Sequence, residues 1–296
     1  MRIFAVIWIL LTTVSCVKTL DVTTDVNQVN RYYAFAFFNP DSTGKLMLGR
    51  MNGITEPYAF IDTAKAEVSN LTRIESNNML SVGEGNYRSG RMGFSSGDTL
   101  QLQVEWNKNL ILIKDKVPEG IEINDVKSYP YTANYVGRTT AFTLSFKDSA
   151  YAENHYRIWI QEAYWKYKRN NQDEIIDSSW VLSTMPISGT ELPFIRNEYN
   201  VYTNRELLCT DETFNGLETS FVVFRNAPEE KDIRRVYFDV FIENLSPSLY
   251  HYYNDRNAHL WQQTSITQLP TEVEGNLGNV YGVMGIFRAS RFRINL

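Results

Sequence analysis

Beyond residue 30 the chain alternates apolar and polar residues with a period of two, the pattern of half-buried strands. The spacing predicts strands at residues 32–38 (YYAFAFF, closed by Asn39-Pro40-Asp41), 45–51, 66–71, 86–94, 99–106 and 110–114. In the fifth of these, Leu100, Leu102 and Val104 share a face, and Pro118-Glu119-Gly120 ends the run. Short strands at this spacing predict an immunoglobulin-like sandwich over residues 31–126.

The second half repeats the style without repeating the sequence. Strands are expected at residues 139–146, 156–167, 218–224 and 235–242. Alternation is cleanest at 234–243, where Val236, Phe238, Val240 and Ile242 face one way and Tyr237, Asp239, Phe241 and Glu243 the other. One helix interrupts the series: Ser246 caps it, Pro247 suits its first turn, and Leu249, Tyr253, Arg256 and Leu260 fall on one stripe. The expectation is an all-β protein, with a larger β-rich, sandwich-like domain at 127–296 that carries this helix.

The N-terminus reads differently. Arg2 precedes an apolar stretch at residues 3–14, too short for a span of about 20 apolar residues because Lys18 and Asp21 follow. Residues 1–15 therefore read as a signal peptide. Thr13-Val14-Ser15-Cys16 resembles the lipobox of bacterial lipoproteins, which predicts cleavage before Cys16 and a fatty acyl anchor, palmitate or similar, on that residue. The other reading is an ordinary secretory signal with an incidental cysteine. Polar residues 16–30 form the expected tether. Lipidation of Cys16 leaves Cys209 as the second of only two cysteines, so no intramolecular disulfide is expected, and Cys209 after Leu207-Leu208 reads as a buried small hydrophobe.

Composition narrows the function. With 29 Lys plus Arg against 34 Asp plus Glu the net charge is -5, and no basic run offers the footprint that nucleic acid needs. A hydrophobic fraction of 43% excludes a disordered chain.

Four patterns invite a chemical reading. Gly93-Phe94-Ser95-Ser96-Gly97 spells a nucleophile elbow, but an alternating strand follows it where an elbow requires a helix, so a hairpin turn is expected. His251, Asp255 and His259 recur every four residues on the helix, and the outer pair, about 12 Å apart at about 1.5 Å per residue, is too widely separated for one ion. Asp211 with Glu212, and Glu229 with Glu230, are neighbours that point to opposite faces of any strand. Neither a catalytic residue, a metal nor a cofactor is expected. The fourth pattern is aromatic: Trp159, Trp165 and Tyr167 share one face of the strand at 156–167. Either that face is covered within the fold, or it is a platform for an oligosaccharide or peptide ligand.

Several segments, in order, resemble one family. They are Gly85-Asn86-Tyr87 with residues 96–102 (SGDTLQL), residues 145–148 (SFKD) with 154–158 (NHYRI), residues 210–216 (TDETFNG), residues 249–253 (LYHYY), and Pro270 followed by residues 275–287 (GNLGNVYGVMGIF). The chain resembles the Bacteroidota outer-membrane lipoproteins carrying domain of unknown function 4249. That resemblance implies an N-terminal immunoglobulin-like domain, a larger β-rich domain, and residence at the outer membrane near TonB-dependent transporters. The glycines at 275, 278, 282 and 285 read as a turn laid against a sheet. The expected function is that of a lipid-anchored, non-catalytic accessory to a TonB-dependent nutrient transporter, with a cell-envelope hydrolase or a purely structural protein as the alternatives.

Overall fold

Leu100, Leu102 and Val104 are fully enclosed, as their alternation requires, and the strand they build is one of seventeen among the described residues of the computed structural model. The structure describes residues 31–40, 42–51, 59–133, 137–150, 152–189, 205–225, 232–262, 273 and 275–296. The first strands are β1 (Arg31–Phe38), β2 (Thr43–Met51), β3 (Ala59–Phe60), β4 (Lys65–Asn70), β5 (Glu75–Gly83), β6 (Asn86–Arg91), β7 (Thr99–Trp106) and β8 (Asn109–Lys116). There follow β9 (Glu122–Ala133), β10 (Gly137–Lys147), β11 (His155–Arg169), β12 (Ile175–Thr184), β13 (Ile187–Gly189), β14 (Leu207–Thr210), β15 (Glu218–Arg225) and β16 (Ile233–Leu245). One helix, α1 (Pro247–Gln262), and the long strand β17 (Tyr281–Asn295) close the chain. Among the described residues the protein is all-β with a single helix.

Thirteen strands belong to one sheet, whose main path runs β12-β11-β16-β17-β1-β2-β6-β5-β4-β7-β8. This sheet turns over on itself at β5, which pairs with β4 through residues 75–79 and with β6 through residues 80–83. The fold-over encloses a first core, in which Phe38, Leu46 and Leu48 from one layer meet Leu100, Leu102 and Val104 from the other. A second sheet, β13-β15-β10-β9, covers β11 and β16. Between these layers lies a second core, where the Phe142 and Phe238 rings meet edge to face at 5.0 Å.

The closing strand joins the two cores. Residues 281–286 of β17 run parallel to β1, and residues 287–295 run antiparallel to β16. Side chains stitch the same junction: Arg288 donates to the Phe94 carbonyl at 2.9 Å, and Ser290 to the Ile121 carbonyl at 2.5 Å. Helix α1 lies on the outer face of β17 and β1, with Leu249 and Tyr253 buried against Val283.

Three expectations need correcting. Gly282 and Gly285, read with Gly275 and Gly278 as part of a turn, lie within the strand β17; the turn occupies residues 275–280 before it. Leu260, placed on the buried stripe of the helix, is 54% exposed, because the helix end extends past the sheet that covers Leu249. The strands β5, β9 and β12 carry Asn, Ser, Asp and Pro at positions that face solvent, which masked their period of two. The predicted signal peptide, Cys16, the tether, and the pair Glu229 and Glu230 lie outside the described residues.

Candidate functional site

The outer face of β11, turned away from the second core, carries Arg157, Trp159, Gln161, Ala163, Trp165 and Tyr167, because Ile158, Ile160 and Glu162 point inward. Strand register adds its neighbours. Trp159 sits opposite Phe241, Ala163 opposite Tyr237, and Trp165 opposite Trp180. The three aromatic residues singled out in the sequence thus share one face, and Trp180, Leu182, Tyr237 and Phe241 complete it.

The face divides into two halves with different surroundings. Near α1, the Trp159 ring stacks on Phe241 at 3.9 Å, and its indole N–H donates to Glu243 Oε1 at 2.9 Å. Arg157 pairs with Glu243 at 2.8 Å and lies over the Tyr253 ring at 4.5 Å. Arg256 also lies over the Tyr253 ring, at 4.6 Å, and pairs with Glu206. Burial works against the Arg157 guanidinium, but Glu243 and Glu206 outweigh it and raise its pKa further, so it remains a cation. This half is locked from several sides and reads as scaffold.

The far half is open. Trp165 and Trp180 meet edge to face at 5.3 Å across β11 and β12, 39% and 44% exposed, and Leu182 beside them is 50% exposed. Trp180 reaches to 6.2 Å from the Tyr237 ring, and the Arg293 guanidinium lies over that ring at 3.7 Å. Tyr167 is half buried at the end of the same row.

Between the halves sits Asp239, 1% exposed and clamped by Arg291 and Arg293 at 2.6–2.8 Å. Burial alone would raise its carboxyl; the two guanidiniums more than offset that and hold it below the usual carboxylate range. The clamp holds Arg293 over Tyr237. The result is a rigid strip of aromatic faces edged by cations, suited to stacking a planar or pyranose ring.

Other candidate residues serve the fold. Ser95 lies in the turn before β7, where its hydroxyl meets Arg73 and its N–H donates to Asp98 at 2.9 Å. Cys209 is fully buried, and burial pushes its thiol pKa up, away from reactivity. His251 is exposed while Asp255 and His259 are half buried, and among the described residues no group of three His, Cys, Asp or Glu side chains is placed to hold a metal ion. Asp211 is buried and Glu212 exposed, so the pair does not converge.

The segments at 145–148, 154–158 and 210–216 come together as one buried network. The Asn154 side chain donates to Asp148 and Asp211 at 3.2 Å each, Asn244 donates to Asn154 Oδ1 at 2.7 Å, and the Tyr156 hydroxyl donates to Asp148. The Gly216 N–H, at a residue with φ of 75°, caps the second Asp148 oxygen at 2.6 Å. These polar residues pin loops to β11, and their burial gives them no reach to a ligand.

A family model described as Domain of unknown function (DUF4249) matches residues 20–293. A comparison with curated proteins found no match.

Proposed function

Starting from the fact that the chain belongs to the DUF4249 family, we propose that it is a lipid-anchored envelope protein that works by binding. In this reading Cys16 carries the lipid, the outer membrane is the anchor, and the folded part serves as an accessory to a TonB-dependent transporter that takes up oligosaccharide or peptide.

The observation that carries the binding role is the exposed Trp165–Trp180 pair, with Leu182 and Tyr237 alongside. Large aromatic side chains left open to water in a contiguous strip mark interaction sites more often than they mark fold. The strip lies on paired strands, so its geometry is set before a ligand arrives, which lowers the ordering cost of binding.

The test is a titration of the purified folded chain with linear hexasaccharides and extended decapeptides, followed by tryptophan fluorescence. A saturable change that Trp165→Ala or Trp180→Ala abolishes, with unchanged unfolding temperature, is the expected result. Titrations that are flat across both ligand classes would remove the uptake reading. Labelling with a fatty acid, with Cys16→Ala as the control, tests the anchor separately.

A further inference from the structure

A second concave surface lies on strands β1, β2 and β6 of the large sheet, beside α1 and sharing no residue with the exposed Trp165–Trp180 pair. We propose that this trough binds an amphipathic monoanion: a carboxylate head on an alkyl or aryl body, taken from solution as a single molecule.

Strands β1, β2 and β6 form the floor. Phe35, Phe37 and Met47 point outward there, because Ala34, Ala36, Leu46 and Leu48 fill the first core on the other side. The Tyr252 ring of α1, 6.0 Å from Phe35, makes one wall. Val82 and the turn at residues 83–85 make the other. The open trough has a volume of about 770 Å³, within the range of small-molecule sites.

The charge placement specifies the ligand. Lys45 of β2 is the direct cross-strand partner of Arg88 of β6, and Phe37 is the partner of Lys45 on its other side. Two cations opposed in a ladder repel each other, and such pairs destabilise a sheet unless something neutralises them. Among the described residues no carboxylate lies within ion-pair distance of either. The one acid on the trough, Glu84, belongs to the turn. Its φ of 53°, between Gly83 at 94° and Gly85 at 69°, is a left-handed conformation uncommon for a residue with a side chain. An anion seated between Lys45 and Arg88 neutralises the repulsion, and an apolar body then lies along Phe37, Phe35 and Met47. The site shares no residue with the aromatic strip, so it stands or falls independently of the uptake reading.

Calorimetric titration of the folded chain with sodium decanoate, below its micelle concentration, tests the proposal. Decanoate should saturate one site and raise the unfolding temperature, decylammonium should not bind, and Trp165→Ala should change neither result. In K45Q/R88Q the affinity should fall at least tenfold, while the ligand-free unfolding temperature at low salt should hold or rise, since both side chains are exposed and their repulsion is gone. Absence of saturation, equal affinity in the double variant, or binding that ignores the sign of the head group would overturn it. Adsorption to anionic vesicles without binding of monomeric decanoate would also overturn it, because the surface would then be a membrane contact.

Discussion

Asn276 forms a two-point bridge with the backbone of Met284: its Nδ2 donates to the Met284 carbonyl and its Oδ1 accepts from the Met284 N–H, both at 2.8 Å. The side chain thereby acts as a short strand partner for β17 at the point where that strand is also paired with Ala36 of β1. Loss of the bridge leaves two polar backbone groups of a half-buried strand unsatisfied, at about 1 to 3 kcal/mol for such groups. Asn276→Ala should destabilise by that order. Asn276→Asp should do no better, because a carboxylate keeps the acceptor but faces the Met284 carbonyl with a second one. Urea unfolding of the two variants checks this, and parental stability in Asn276→Asp would show that the bridge contributes nothing.

The glycines around that bridge are required for two different reasons. Gly282 has a φ of 127°, and a Cβ there would lie 1.9 Å from the Ala34 carbonyl oxygen of the parallel neighbour. Gly285 has no such backbone constraint; a Cβ would instead meet Leu249 of α1 at 2.6–2.8 Å. Valine at 282 therefore strains backbone and strand pairing, whereas valine at 285 pushes the helix away. Each change should cost about 1 to 3 kcal/mol or more. Leu249→Ala in the Gly285→Val background should recover part of the loss, and the same change should do nothing for Gly282→Val. Equal rescue in both would refute the distinction.

Asp115 links the first core to the start of α1 and gives stability an unusual pH dependence. Its carboxylate accepts from the Lys116 N–H at 2.9 Å and from the Ser246 hydroxyl, while Oδ2 is enclosed without a partner. Burial dominates and pushes the pKa from 3.8 up to about 6. The folded form thus binds this proton more tightly than the unfolded chain does. Stability from this group is complete below about pH 4 and is lost as pH rises through about 6. Asp115→Asn should keep the accepting oxygen and remove the loss. The gap in unfolding temperature between variant and parent should open in the variant's favour from pH 5 to pH 8. A gap that is constant with pH would mean that Asp115 does not titrate in this range.

How much of this was legible in the sequence depended on whether a residue faced protein or water. Leu100, Leu102 and Val104, and Phe238, Val240 and Ile242, are buried as their period of two required, and Ser246 and Pro247 do begin the helix. Strand β12 escaped notice because its run Asp177-Ser178-Ser179 is exposed and polar, which hid Trp180 and with it the partner of Trp165. The pairing of β17 with β1 left no local trace, since register between residues some 250 apart is decided by packing. Lys45 and Arg88 are unremarkable in sequence, and only the register of β2 and β6 opposes them.

The two tryptophans of β11 should separate under substitution, although they share a face. Trp159 is half buried, stacked on Phe241 and hydrogen bonded to Glu243, whose other oxygen holds Arg157. Alanine there removes the stack and leaves a buried carboxylate oxygen without its donor, so the cost should approach the about 3 to 5 kcal/mol typical of a buried tryptophan. Among the described residues Trp165 has one aromatic neighbour, Trp180, and 39% of its surface is in water. Its removal forfeits a cross-strand pair of about 1 kcal/mol or less. Thermal unfolding of the single variants, read beside the hexasaccharide and decapeptide titrations, divides scaffold from platform. Trp159→Ala should lower stability, and Trp165→Ala should lower binding at nearly parental stability. If Trp165→Ala unfolds the chain as readily as Trp159→Ala does, the whole face is core and the strip cannot be the ligand site.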